Sequence, residues 1–101
     1  MAYRIAQERR ITNTVTTVDG QTFGALFRML TDEDLTRLAN EDGGKAAIRA
    51  TVIELTDIEN EDGQPIPYTP KILEAVISFP SDALAIQRAY NEAVFKAAMG
   101  N

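Results

Sequence analysis

The sequence contains no cysteine and no histidine. Without cysteine there is no disulfide framework, no thiol chemistry and no cysteine-ligated zinc site. Without histidine, the commonest metal ligand and the usual general base are also missing. No apolar run approaches the roughly 18 residues that a membrane-spanning helix needs, and Met1–Arg4 leads into polar residues rather than the apolar segment of a signal peptide. We therefore expect a protein that stays in the cytoplasm in which it is made.

Charge is unevenly distributed along the chain of 101 residues. Residues 1–30 carry four arginines against two acids and sum to +2, whereas residues 31–101 carry six basic and thirteen acidic side chains and sum to −7. The hydrophobic content of 45% is ordinary for one globular domain of this length. An acidic body disfavours binding to nucleic acid. The four N-terminal arginines could contact phosphates, but a solvated strand face explains them equally well. We therefore expect neither a nucleic-acid partner nor a membrane partner.

The sequence determines the local structure of residues 62–70 more fully than that of any other stretch. An Asp-Gly turn dipeptide begins this stretch, because glycine accepts a positive φ and aspartate can bond its own backbone. Pro65 and Pro67 then fix φ and remove two amide donors, so an extended strap is predicted over residues 62–69. Thr69 before Pro70 predicts a helix start, with threonine as the N-cap.

The N-terminal part of the chain predicts a β-hairpin. Two segments rich in β-branched and aromatic residues, 11–18 and 21–29, flank an Asp-Gly dipeptide. A two-residue loop would place Val15 and Phe23 on opposite faces of the hairpin. A three-residue loop over residues 18–20 pairs Val15 with Phe23 and Ile11 with Phe27, which brings all four to one face. We therefore expect the longer loop.

Two helices are predicted between the hairpin and the strap. Thr31 is followed by three acidic residues, which is typical of a capped first turn, and this short helix is expected to end near Asn40. Glu41–Gly44 then interrupts the chain. Lys45–Ile58 has apolar residues near helical spacing, which favours a helix, while its β-branched run at 51–53 keeps a strand as the competing interpretation.

Two further helices follow the strap. The first is predicted to span about two and a half turns and to end before Pro80. Ser81 and Asp82 are predicted to cap the last helix, which runs to about Met99 with Gly100 as its stop. One apolar stripe of that helix is predicted to face the core, and it comprises Ala83, Ile86, Ala89, Tyr90, Ala93, Val94 and Ala97. Together the elements predict an α+β fold in a single domain (1–101), with an N-terminal β-hairpin (1–30) packed on a small bundle of about four helices (31–101).

Leu84, Phe95 and Met99 fall off the predicted core stripe of the last helix. Exposed apolar residues are common on protein surfaces, so an ordinary helix surface is one interpretation. The other is a second contact surface, for a partner or a neighbouring subunit. These three residues are our candidates for partner binding.

Motifs for catalysis or metal binding are not found. Residues 57–63 superficially resemble a calcium loop, but counting from Asp57 the glycine is seventh rather than sixth, and Tyr68 occupies the twelfth place instead of glutamate. Gly44-Lys45 lacks the other residues of a phosphate-binding loop. The acids at 32–34 are explained by helix capping. We therefore expect no catalytic residues, no cofactor and no metal, that is, a protein that is not an enzyme.

Several motifs follow one another in a defined order. They are the Asp-Gly-x-Pro-x-Pro-aromatic-Thr motif of Asp62–Thr69, the leucine-bearing Ile72–Glu74, Pro80, and Ala-Tyr-x-x-Ala at Ala89–Ala93. A strand leading into a capped acidic helix, Thr22–Thr31, precedes them. In this order the chain resembles the tail assembly chaperones of long-tailed phages over about residues 20–101. It departs from their pattern at Glu54-Leu55, where the family often has Gly-Trp.

The resemblance implies a non-enzymatic function in the host cytoplasm. Members of this family bind the phage tape measure protein, a long and largely helical chain, and keep it soluble while the tail tube assembles around it. The tail tube protein is a further partner that the resemblance allows, and self-association to a homo-oligomer is another. A binder of a helical client should present apolar strips, and Leu84, Phe95 and Met99 are the residues expected to form one.

Two other functions stay open on the sequence. A structural virion component, such as a small head–tail connector or tail-completion protein, would remain in the particle and use the basic hairpin (Arg9, Arg10, Arg28) as a subunit contact. A host cytoplasmic regulator would use the acidic body to bind its partner. Neither alternative requires a catalytic site.

Overall fold

The computed structural model describes residues 9–99. Three strands, β1 (Arg10–Thr16), β2 (Thr22–Arg28) and β3 (Val52–Thr56), form one antiparallel sheet in the order β1-β2-β3. Four α-helices accompany the sheet: α1 (Asp32–Leu38), α2 (Lys45–Thr51), α3 (Pro70–Ile77) and α4 (Pro80–Met99). A 3-10 turn, Glu41–Gly44, precedes α2. The predicted α+β class is confirmed, whereas the predicted helix stop at Gly100 lies outside the described residues.

The register of the β1–β2 hairpin is the predicted one. Val15 pairs with Phe23 and Ile11 with Phe27, so these four side chains share the face that packs into the core. The backbone N–H of Thr17 donates to the carbonyl of Gln21 at 2.8 Å and encloses a three-residue loop, in which Gly20 has φ 87°. The Thr17 hydroxyl and then the Gln21 side-chain amide donate to the Asp19 carboxylate, and these bonds lower the pKa of Asp19.

The prediction of one helix over Lys45–Ile58 is wrong beyond Thr51. The chain enters the β region at Val52 and becomes the third strand, with Ala25 opposite Leu55 and Gly24 opposite Thr56. Pairing with β2 buries Val52 and Leu55 in the core, and this gain from tertiary contact outweighs the helical pattern of the preceding alanines. The pairing skips Ile53, which forms a bulge and lets both Val52 and Leu55 face inward.

The region between the hairpin and α2 follows the sequence signals. The side-chain hydroxyl of Thr31 accepts a hydrogen bond from the backbone N–H of Asp34 at 3.2 Å, which confirms the predicted cap of α1. The break before α2 contains three successive residues with positive φ, and they are Asp42, Gly43 and Gly44. This left-handed run reverses the chain and directs α2 toward the sheet.

A small hairpin precedes the predicted strap, and residues 64–69 contain no helix, with Pro65 paired to Glu59. The side-chain oxygen of Asn60 accepts the backbone N–H groups of Asp62 and Gln64 at 2.9 and 3.0 Å, and Gly63 turns the chain with φ 79°. The N–H of Ile66 then donates to the carbonyl of Ile58 at 2.9 Å. One detail of the prediction is wrong. Thr69 occupies the N-cap position of α3, but its side chain makes no capping hydrogen bond.

The core lies between the inner face of the sheet and the helices. α4 packs mainly against β1, and the fully buried side chains Val15, Phe27, Ile77 and Ile86 come from both layers. Gln87, on the flank of α4, donates from its amide to the carbonyl of Gly44 at 3.5 Å. This arrangement leaves the opposite side of α4 facing outward.

Candidate partner-binding surface

The position of α4 is set by small residues and by where the helix begins. The buried side of α4 consists of Ala83, Ala85, Ile86, Ala89, Tyr90 and Ala93. Four of these six are alanines, so the helix axis can approach the sheet closely. The predicted cap at Ser81 and Asp82 is wrong. The helix begins at Pro80, because proline fits the first helical position. Asp82 therefore lies within the first turn, where its negative charge interacts favourably with the helix dipole.

Asn13 fixes the edge strand β1 to α4. Its side-chain amide donates to the carbonyl of Ala89 at 2.9 Å, and its side-chain oxygen accepts the backbone N–H of Thr14, also at 2.9 Å. The Thr14 amide lies on the edge of β1 that does not pair with β2. Asn13 thereby satisfies an edge amide and restrains rotation of the helix against the sheet, so the outer face of α4 has a fixed direction.

The three residues predicted for partner binding all lie on that outer face. The exposed fractions are 59% for Leu84, 65% for Phe95 and 69% for Met99. At about 100° per residue, they fall within an arc of about 60° on the side opposite the core. Leu84 and Met99 are about 22 Å apart along the helix axis. We refer to these residues, with the intervening Arg88, Asn91 and Glu92, as the outer strip, and all six are exposed.

Leu84 stands as a ridge between two depressions. One has a volume of about 470 Å³ and separates α4 from the end of β1, where Thr16 and Val18 line it. The other has a volume of about 460 Å³ and lies between α4 and the turn that contains Gly43. A partner side chain that packs on Leu84 therefore has room on both sides.

The last turns of α4 extend beyond the core. Residues 95–99 are all exposed, including Ala97. The prediction that Ala97 belongs to the core stripe is therefore wrong, although the rest of the stripe is buried or, at Val94, packs against the core. The apolar periodicity of α4 thus continues into turns that are exposed. Phe95 and Met99 are consequently accessible from several directions.

Two exposed apolar residues were not among the sequence candidates. Val18, at the hairpin tip, is 85% exposed, and Phe79, directly before α4, is 64% exposed. The predicted hairpin loop over residues 18–20 already placed Val18 outside the strands, whereas Phe79 belongs to no periodic pattern that would show its exposure. They lie outside the outer strip.

Three charged residues, Asp42, Arg49 and Glu74, form hydrogen-bonded ion pairs that connect α2 to α3. The Arg49 guanidinium donates to both carboxylate oxygens of Glu74 at 2.8 Å and to the Asp42 carboxylate at 2.7 Å. These hydrogen bonds lower the pKa of Glu74 and of Asp42 and raise the pKa of Arg49. Burial and the nearby Glu74 raise the pKa of Tyr68. The group fixes α3 relative to α2, and this structural role accounts for its geometry.

Residues 9–99 contain no group of three or more acidic side chains placed to hold a metal ion. The acidic loop that superficially resembles a calcium site is organised instead by the side chain of Asn60. None of the described helices is long and apolar enough to cross a membrane. The outer strip is therefore the best-supported candidate site in the described part of the chain.

Comparison with known proteins gives no match to a protein-family model, to a curated protein or to a solved structure. The resemblance to tail assembly chaperones accordingly rests on the order and spacing of the sequence motifs.

Proposed function

We propose that the protein is a non-enzymatic tail assembly chaperone that binds the tape measure protein of a long-tailed phage. It acts in the host cytoplasm and keeps the client soluble while the tail tube assembles. The order of motifs between residues 62 and 93 supports the proposal. The observation that carries it is the outer strip, because Leu84, Phe95 and Met99 are exposed together on one helix face.

The client is held as one helix against another. The strip extends about 22 Å, which corresponds to about four turns of an α-helix, and an amphipathic client helix presents apolar residues at similar intervals. Leu84 inserts between client side chains, with the depressions beside it accepting their ends. Phe95 and Met99 cover the next turns, and the flexible thioether of Met99 adapts to different client sequences.

Binding through this strip is reversible. Three apolar side chains on one helix bury far less area than the roughly 800 Å² per partner of a stable complex. Weak binding at many sites along a long client prevents aggregation, while each chaperone molecule can still be displaced as tube subunits polymerise around the client. Arg88 and Glu92 border the apolar residues and favour client helices with complementary charges.

The test is co-expression with the tape measure protein of the same phage. The wild-type protein should increase the soluble fraction of the client, and the variants Leu84→Glu and Phe95→Glu should lose that effect. A carboxylate on the strip would be buried unpaired in the complex, so we expect the affinity for the client to fall at least about tenfold.

Phe79→Glu is the matched control. Phe79 is exposed to nearly the same degree as Phe95, 64% against 65%, but it lies outside the strip. This variant should protect the client as the wild type does. An equal loss in all three variants, or no gain in client solubility with the wild-type protein, would overturn the proposal.

A second measurement separates the proposal from a structural role. A chaperone leaves before the virion is complete, so antibodies against the protein should detect none in purified particles. A constant number of copies per particle would instead identify a virion component such as a head–tail connector.

A further inference from the structure

Apolar and polar residues of the outer strip together form one regularly spaced series along α4. Positions 84, 88, 91, 95 and 99 are separated by four, three, four and four residues, which is close to the spacing of a seam between two packed helices. Arg88 and Asn91 thus lie on the line from Leu84 to Phe95. All of these side chains are exposed.

The strip is complementary to itself when two copies run antiparallel. In one register, Leu84 lies opposite Met99 of the second copy, and Arg88 lies opposite Phe95 of the second copy. The same register places Asn91 opposite Glu92, where the amide can donate to the carboxylate. Since the arrangement is symmetric, each contact occurs twice, and apolar residues meet either apolar residues or the stem of an arginine.

The charges favour the same register. Arg88 and Glu92 of the second copy are offset by only three residues along the paired helices, about 4.5 Å of helical rise, which an arginine side chain can span. Two Arg–Glu pairs therefore form across the dyad. A parallel arrangement would place Arg88 against Arg88 and Glu92 against Glu92, which is unfavourable.

We propose that the outer face of α4 is a self-association surface, on which a second copy of this chain packs antiparallel with Leu84 against Met99. This inference does not depend on the proposed function, because it concerns the chain alone. If both hold, the second copy and the client compete for the same residues.

The dimer is weak and exchanges rapidly. The interface is small compared with that of stable dimers, so we expect a dissociation constant on the order of 100 µM. Sedimentation equilibrium over about 10 µM to 1 mM should show a monomer–dimer equilibrium in that range. A protein that stays monomeric over the whole range would overturn the inference.

Charge reversal tests the cross-dyad pairs. In a dimer of Arg88→Glu, the new glutamate at position 88 faces Glu92 of the second copy in both pairs. In a dimer of Glu92→Arg, the new arginine at position 92 faces Arg88 of the second copy in both pairs. Each variant alone should therefore dimerise at least about tenfold more weakly. An equimolar mixture of the two variants restores opposite charges at both pairs, and it should dimerise as the wild type does. Lys71→Glu on α3 is the control for Arg88→Glu, because it makes the same change in net charge and lies away from the strip. A mixture no stronger than its components would contradict the pairing.

Cross-linking tests the direction of the two helices. The chain has no cysteine, so single cysteines can be introduced without competing thiols. Leu84→Cys mixed with Met99→Cys should form a disulfide-linked dimer on mild oxidation, whereas Leu84→Cys alone should form little. Efficient cross-linking of Leu84→Cys alone would indicate a parallel pair and would overturn the proposed register.

Discussion

The backbone N–H of Leu30 donates a hydrogen bond to the hydroxyl oxygen of Tyr90, at 3.1 Å. The ring of Tyr90 also meets Phe27 edge to face, with ring centroids 5.4 Å apart and an angle of 78° between the planes. One side chain of α4 therefore fixes both the last core residue of β2 and the segment that leads into α1.

Tyr90→Phe tests this link. The variant keeps the ring contact with Phe27 but leaves the Leu30 amide without its acceptor, which should lower the free energy of unfolding by about 1 to 2 kcal/mol. Urea denaturation followed by circular dichroism measures the change. Tyr68→Phe serves as the control, since Tyr68 is only half-buried, and its effect should stay within about 0.5 kcal/mol. Equal stability of Tyr90→Phe and wild type would show that water replaces the lost acceptor.

Asn13→Ala tests the connection between the edge strand and α4. The variant loses the bond to the Ala89 carbonyl and the bond to the Thr14 amide, so we expect a loss of about 1 to 2 kcal/mol in the free energy of unfolding. Hydrogen exchange gives the more specific readout. The Thr14 amide should exchange faster in the variant, while the Thr17 amide, which is bonded to Gln21, should change only by the global loss of stability.

Gly24→Ala tests the close contact between β2 and β3. A Cβ atom at position 24 would overlap with the hydroxyl oxygen of Thr56, its partner in the sheet. The overlap involves only the end of the exposed Thr56 side chain, which can turn to another rotamer, so we expect a destabilisation of at most about 1 kcal/mol. Thr56→Ala removes the hydroxyl, so the double variant Gly24→Ala/Thr56→Ala should recover most of that loss. Additive effects in the double variant would place the cause elsewhere.

Glu74→Gln tests the ion pair between α2 and α3 through its pH dependence. Hydrogen bonds from Arg49 lower the pKa of Glu74 below its ordinary value of 4.5 in the folded protein. The folded state then binds fewer protons than the unfolded state, so this stabilisation is complete above about pH 4.5 and is lost as the pH falls through the lowered pKa.

The wild type should therefore be more stable than Glu74→Gln at pH 7, and the two should converge in acid. Since the groups are exposed to solvent, which screens the ion pair, the difference at pH 7 is expected to be small. Arg49→Met removes the guanidinium that pairs with Glu74. In that background, Glu74→Gln should no longer lower the free energy of unfolding at pH 7. A difference between wild type and Glu74→Gln that stays constant down to pH 2 would contradict this account.

Local patterns predicted much of the fold correctly. The parity of Ile11, Val15, Phe23 and Phe27 was sufficient to predict the hairpin register, because a slip of one residue would have exposed two of them. The cap at Thr31 and the turn at Gly63 depend on neighbouring residues alone, and both are present.

The features that were predicted wrongly depend on contacts between residues that are distant in sequence. Val52 becomes a strand residue because β2 offers it a partner about 25 positions earlier, and no local signal reports that partner. Ala97 repeats the core period of α4, yet it is exposed, and periodicity alone cannot show where a helix stops contacting the core. The exposure of Leu84, Phe95 and Met99 agrees with their predicted position off the core stripe of the helix. Their proposed role in binding is tested by the variants Leu84→Glu and Phe95→Glu.

The order of elements also affects how the chain acquires its structure during synthesis. β1 and β2 are complete by residue 28, but α4, which covers their apolar face, occupies the final part of the sequence. A nascent chain therefore carries Val15, Phe23 and Phe27 without their cover until residues 80–99 have been synthesised. A chain truncated before Pro80 lacks this cover, so we expect proteases to remove the product rather than leave a partly active fragment.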